Sequence, residues 1–213
     1  MGTTGPARFV TFEGGEGAGK STQIARAAAA LEARGLRVCL TREPGGTEGA
    51  EAIRHLLLEG PAERWTATAE LLLVAAARAE HLARVIEPTL AAGSWVLCDR
   101  YLDSTRVYQG LAGGLGLALV DRLQGELLGF RLPDLTLVLD VPVETGLARR
   151  RDHGGATRFE RKGRDFHERV REGFRTLAAA EPGRIVLVDA ERPVEAVAAE
   201  IEALLVARLG LDP

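Results

Sequence analysis

The feature that most restricts this chain is a glycine-rich loop set between an apolar run and a helical pattern. Residues 14–22 read GGEGAGKST, in which Gly14, Gly19, Lys20 and Ser21 fill the pattern GxxxxGK(S/T). Before the loop, Arg8 to Glu13 has the composition of a buried strand, and Lys20 to Ala33 has the spacing of a helix. Strand, loop and helix in that order give the motif its meaning. The glycines let consecutive backbone N–H groups turn inward around phosphate oxygens, and the helix start adds partial positive charge. Gly14, Gly15, Glu16, Gly17, Ala18, Gly19, Lys20, Ser21 and Thr22 are the expected nucleotide-binding residues, with Lys20 on the β/γ oxygens and the Ser21 hydroxyl on Mg²⁺.

Further along, short apolar runs alternate with longer amphipathic or Ala/Leu-rich segments, which predicts a parallel sheet covered by helices on both faces. The strands are expected at Arg8 to Glu13, Leu36 to Thr41, Trp95 to Asp99, Leu135 to Asp140 and Arg184 to Asp189. Helices are expected at Lys20 to Ala33, Thr47 to Leu58, Ala67 to Leu90, Leu115 to Leu128, Val143 to Arg151, Arg164 to Ala180 and Pro193 to Leu209, with Gly35, Gly93 and Gly183 at helix-to-strand junctions as C-terminal caps. Five strands in 213 residues make one α/β domain, 1–213.

A net charge of −3 gives no general attraction to nucleic acid or membrane, so anions must be bound by locally placed cations and the partners are small molecules. No stretch is apolar enough to span a bilayer, and nothing at the N-terminus resembles a signal peptide. Cys39 and Cys98 each sit in an apolar run and read as reduced, buried thiols of a cytoplasmic protein. Of the 27 basic residues 25 are arginine, Met occurs once and asparagine is absent, which fits a GC-rich genome or selection against thermolabile side chains. The four histidines, His55, His81, His153 and His167, show no metal-ligand spacing and read as surface or helix residues.

A phosphate loop alone does not choose among GTPases, ATPases and kinases. GTPases of the Ras kind read guanine with an Asn-Lys-x-Asp loop, which a chain without asparagine lacks. Motor and AAA-type ATPases need more chain. A small kinase remains, with a non-catalytic nucleotide sensor as the alternative.

TREPGGT from Thr41 to Thr47, CDRYLDSTRVYQG from Cys98 to Gly110 and DLTLVLD from Asp134 to Asp140 resemble, in order behind the loop, the bacterial thymidylate kinases. The resemblance runs from about Arg8 to about Glu200 and implies a doubly wound sheet of five parallel strands, a homodimer, and transfer of the γ-phosphoryl group of ATP to dTMP with Mg²⁺. It implies that Arg100 and Arg54 hold the acceptor phosphate, that Asp99 serves the Mg²⁺, and that Glu16 reaches the sugar 3′-hydroxyl. Pro44 would form a rigid turn beside the acceptor. Arg78, Thr105, Gln109 and Tyr108 match residues that read thymine and pack on the deoxyribose, the tyrosine excluding a 2′-hydroxyl. Val74 stands where the family has a phenylalanine stacked on thymine, which keeps another nucleoside monophosphate kinase, acting on UMP or CMP, as an alternative.

Two polyanions must meet in such a reaction, yet Lys20 is the one cation of the loop. The charged, glycine-containing segment 149–164 is the expected lid, read from its residues alone as either a mobile loop or a solvated helix end. By register with the family Arg149, Arg151 and Arg158 are its arginines, with His153 where an arginine is common. Arg151 and Arg158 rank first as catalytic residues, beside Lys20, Asp99 and Arg100. No histidine base is needed, because a phosphate with a second pKa of about 6 is largely deprotonated near neutrality.

Overall fold

The computed structural model describes residues 6–129, 131–151 and 157–211, without the side chains of 127, 128 and 151. Five strands form one parallel sheet in the order β2-β3-β1-β4-β5: Phe9–Gly14 (β1), Val38–Arg42 (β2), Trp95–Asp99 (β3), Leu135–Asp140 (β4) and Ile185–Asp189 (β5). β1 is buried at all six positions, as a central strand covered on both faces must be. The helices are Lys20–Ala33 (α1), Glu48–Leu58 (α2), Ala67–His81 (α3), Glu87–Ala91 (α4), Leu102–Thr105 (α5), Leu117–Leu128 (α6), Val143–Arg151 (α7), Arg164–Ala180 (α8) and Val194–Leu209 (α9), with π-helical turns at Leu82–Ile86 and Arg106–Leu111.

Alternation along the strands divides the core. Val10 and Phe12 of β1, with Leu135, Leu137 and Leu139 of β4, pack on α1 and on Val197, Ile201 and Leu205 of α9. Phe9 faces the other way, with Val96, Cys98, Leu82 and Ile86. Phe166, Val170, Phe174 and Leu177 form the stripe by which α8 covers Val138 and Ile185. Burying each such side chain is worth about 1.5–3 kcal/mol. Two threonines break the apolar run of the central strands, and each is satisfied: Thr11 and Thr136 share a hydrogen bond at 2.8 Å, and Thr136 also donates to Asp103 at 3.1 Å.

Because α1 lies on one face and α5 on the other, the adjacent strands β1 and β3 send their connections apart, opening a crevice at their C-terminal ends. Thr47 and Thr66 cap α2 and α3 by accepting from Ala50 N–H at 3.1 Å and Ala69 N–H at 3.3 Å.

The helical run expected from Ala67 to Leu90 is interrupted by the π turn at Leu82–Ile86, and Leu102–Leu111 is helical although its sequence shows no helical stripe. Gly35 and Gly93 take positive φ of 78° and 75°, while Gly183 does not, since α8 ends at Glu181 in a non-left-handed conformation. Cys98 is buried, but Cys39 is only half-buried because β2 is an edge strand. His81 and His167 are helix residues, on α3 and α8, and both are buried, while His153 lies outside the described residues. No helix among the described residues is long and apolar enough to cross a membrane.

Candidate active site

The crevice is a cavity of about 660 Å³ floored by residues 16–23 of the glycine loop and α1. Toward β5 it is lined by Arg149, Ala190 and Arg192, and toward α2, α3 and the second π turn by Pro44, Arg54, Val74, Arg78, Thr105 and Gln109. Gly17 lies under α7, where a Cβ on Gly146 would collide with the Glu16 carbonyl oxygen and a Cβ on Gly17 with the Gly146 carbonyl oxygen. Only two glycines let loop and helix approach so closely.

Lys20 donates to the carbonyls of Gly14 and Gly15 at 3.3 and 2.9 Å. Burial, with repulsion from Arg100, pushes its pKa below the ordinary lysine value despite Asp99, Glu16 and Glu13. Ser21 Oγ donates to Asp99 Oδ2 at 3.4 Å, while the buried Asp99 Oδ1 receives no hydrogen bond among the described residues. A hydroxyl beside a carboxylate oxygen left without a donor fits a hard, oxygen-seeking cation such as Mg²⁺.

Arg100 is the one non-glycine residue with positive φ, 68°, among the described residues. That backbone aims its guanidinium back across the loop: Nη1 donates to Gly14 O at 3.0 Å and to Ser104 Oγ at 3.1 Å, and Nη2 donates to Glu16 Oε1 at 2.9 Å. Its carbon lies 5.1 Å from the centre of the Tyr108 ring. Burial opposes its charge, but Tyr108, Glu16, Asp99 and Glu13 more than offset this and hold its pKa above the ordinary arginine value. Burial alone would raise the Glu16 pKa, yet Arg100, Lys20 and the Tyr108 hydroxyl hold it below the usual carboxylate range. Glu16 therefore remains charged, and it turns toward Arg100 and Tyr108, accepting from the tyrosine hydroxyl at 2.9 Å.

Arg78 is 2% exposed and donates to Glu43 Oε2 at 2.7 Å, to Thr105 Oγ1 at 2.9 Å and to Gln124. Glu43 also meets His81 Nδ1 at 3.0 Å, and His81 Nε2 meets Thr41 Oγ1 at 2.6 Å. The Glu43–Pro44 peptide is cis, and Arg54 donates to Pro44 O at 2.7 Å.

The structure thus brings Glu16 to Thr22, Pro44, Arg54, Val74, Arg78, Asp99, Arg100, Thr105, Tyr108, Gln109 and Arg149 into one cavity wall. Gly14 and Gly15 lie behind the loop, along a small cavity against His167. Arg158 is placed elsewhere. It is fully buried, donating to Leu57 O at 2.8 Å, Ala62 O at 2.9 Å and Glu70 Oε1 at 2.7 Å, and it does not line the cavity. The side chain of Arg151 lies outside the described residues. Glu13, Glu70, His81 and Gly146 back the site without a motif pointing to them, and Glu43 does so from within TREPGGT; the carboxylate of Glu13 closing an apolar strand before the loop was a further signal to follow.

The family model for thymidylate kinase matches residues 12–201. The chain belongs to the thymidylate kinase family. Its relatives include the thymidylate kinase of Caulobacter vibrioides, 54% identical over 95% of this chain and 98% of that protein. That of Rhizorhabdus wittichii is 55% identical over 93% and 97%. The crystal structure of thymidylate kinase from Ehrlichia chaffeensis superposes with a TM-score of 0.76 at 34% identity, covering 94% of this chain and 99% of that one.

Proposed function

We propose that the two sides of the cavity are the donor and acceptor halves of one phosphoryl-transfer site. The chain is an ATP-dependent dTMP kinase, converting ATP and dTMP to ADP and dTDP for dTTP synthesis. The observation that carries the assignment of halves is the strained Arg100, whose guanidinium bridges the loop carbonyl of Gly14 and the Glu16–Tyr108 pair. A cation in that place faces both polyanions at once.

ATP lies along residues 14–22, with Lys20 on its terminal phosphates and Arg149 toward the base. Ser21 and Asp99 hold Mg²⁺, which neutralises phosphate charge when bound. Arg100 and Arg54 grip the acceptor phosphate, Arg78, Thr105 and Gln109 meet the thymine beside Val74, and Pro44 shapes the turn above it. Tyr108 packs on the deoxyribose and Glu16 accepts from its 3′-hydroxyl. The acceptor phosphate is largely deprotonated near neutrality, so positioning and charge stabilisation suffice.

Segment 149–164 acts as a lid, in which Arg151 supplies charge to the transferring group while Arg158 stays tied to Glu70 and to the carbonyls of Leu57 and Ala62. The working unit is a homodimer in the cytoplasm. Turnover with dTMP, dUMP, dCMP, UMP and CMP, with and without Mg²⁺, tests the site: dTMP ranks first and activity requires the metal. Arg151→Ala lowers kcat by about 10³–10⁵. Preference for a ribonucleotide, or an Arg151→Ala kcat within a few-fold of the parent, would sink the corresponding assignment.

A further inference from the structure

Gln109 sits on the second π turn, 3% exposed, and its Nε2 donates to Glu70 Oε2 at 3.2 Å. Glu70, in the first turn of α3, is itself 3% exposed. Its other oxygen, Oε1, receives Arg158 Nη1 at 2.7 Å and Lys162 Nζ at 3.5 Å. Arg158 is tied in turn to the carbonyls of Leu57 at the end of α2 and of Ala62 in the turn that follows.

A carboxylate paired with two cations accepts hydrogen bonds and donates none. Whichever way a free glutamine would prefer to turn, the carboxamide of Gln109 must give its NH₂ to Glu70. Its carbonyl oxygen is then the polar atom turned to the cavity that Gln109 lines.

We propose that Glu70 is a specificity-determining positioning residue, which fixes Gln109 as a hydrogen-bond acceptor and so selects an imide pyrimidine over cytosine. The inference rests on the reading that Gln109 meets the acceptor base. Thymine and uracil carry N3–H between two carbonyls and complement a fixed acceptor. Cytosine presents a bare N3 lone pair at the same place, so oxygen would face nitrogen lone pair with no proton between them. The carboxamide cannot rotate to rescue this contact, because its NH₂ would leave Glu70 and its oxygen would meet a carboxylate. Arg158 contributes from a distance: it holds the carboxylate that holds the amide.

The test compares kcat and KM for dTMP and dCMP in the parent, in Glu70→Gln and in the exchange Glu70→Gln/Gln109→Glu, with folding followed by circular dichroism. In Glu70→Gln either amide orientation is possible at Gln109. The preference for dTMP over dCMP falls by roughly 10- to 100-fold, mainly through KM, while the KM for ATP is unchanged. The exchange variant moves the donor to position 70 while position 109 still presents an acceptor toward the base, and regains preference for dTMP.

A parent that does not turn over dTMP defeats the kinase reading itself, not this inference. A parent that prefers dTMP, with a folded Glu70→Gln keeping its preference within about threefold, overturns the role of Glu70, since a buried polar contact that loses its partner costs about tenfold or more. A folded exchange variant that fails to favour dTMP does the same. If neither variant folds, hydrogen exchange on the parent decides: rapid, unprotected exchange at the Gln109 side-chain amide overturns the proposal.

Discussion

Glu13, next to last in β1, has no exposed surface, and its carboxylate accepts from Tyr101 N–H at 2.8 Å, Ser104 N–H at 3.1 Å and Ser104 Oγ at 2.5 Å. These contacts hold the turn that follows Arg100. Burial pushes the carboxyl pKa up, Asp103 adds to the rise, and Arg100 with the Ser104 and Tyr101 donors opposes it; the outcome is about 7, against an ordinary 4.5. The folded value is the higher one, so the native state keeps the proton over a range in which the unfolded chain has released it. Stability from this group is fully present below about pH 4.5 and is lost as pH rises to about 7, at ~1.4 kcal/mol per unit, or about 3 kcal/mol in all. Glu13→Gln abolishes the titration and retains an oxygen for the two backbone N–H groups. Urea denaturation of parent and variant across about pH 5 to 8 isolates the effect, because other titrating groups cancel in the difference. The parent's stability relative to Glu13→Gln should fall by about 2–3 kcal/mol over that range and level off above it. A constant difference, or one that grows in the parent's favour as pH rises, refutes the reasoning.

Two other substitutions probe the cavity wall. Gly146→Ala drives a methyl group into the Glu16 carbonyl, so it should destabilise the fold by about 1–3 kcal/mol and raise the KM for ATP; an unchanged melting temperature and KM would show that α7 is free to retreat. Val74→Phe restores an aromatic face at a position lining the cavity, and should lower the KM for dTMP through a contact worth about 0.5–1.5 kcal/mol beyond burial. An unchanged or higher KM in a folded variant would mean that the pocket is built around another group.

What could be read from the sequence follows from the range of the forces involved. The loop was legible because its chemistry is local: Gly14, Gly19, Lys20 and Ser21 carry their roles within eight residues of one another. Strands β3 and β4 and helices α1 and α8 matched to the residue, since composition and period change sharply at their ends. Leu102–Leu111 escaped for the opposite reason. Its inward positions include Asp103, Thr105 and Gln109, and a π turn shifts the helical period, so no apolar stripe marks it.

The residues behind the site were hidden more thoroughly, because a buried carboxylate has no local signature. Glu13 finds its donors 88 and 91 residues away, Glu43 finds Arg78 35 residues away, and Glu70 finds Arg158 88 residues away. Each looks like an ordinary glutamate until the fold supplies its cation or N–H group. Arg158 shows the same limit from the other side: register located it, yet a guanidinium's reach allows it to serve a phosphate or a carboxylate equally well. What decides is where Glu70 stands, and that is a property of how α3 packs beside the second π turn. The glycine loop is therefore written in adjacent residues, whereas the buried carboxylate pairs that back the cavity are written in contacts that only the folded chain brings together.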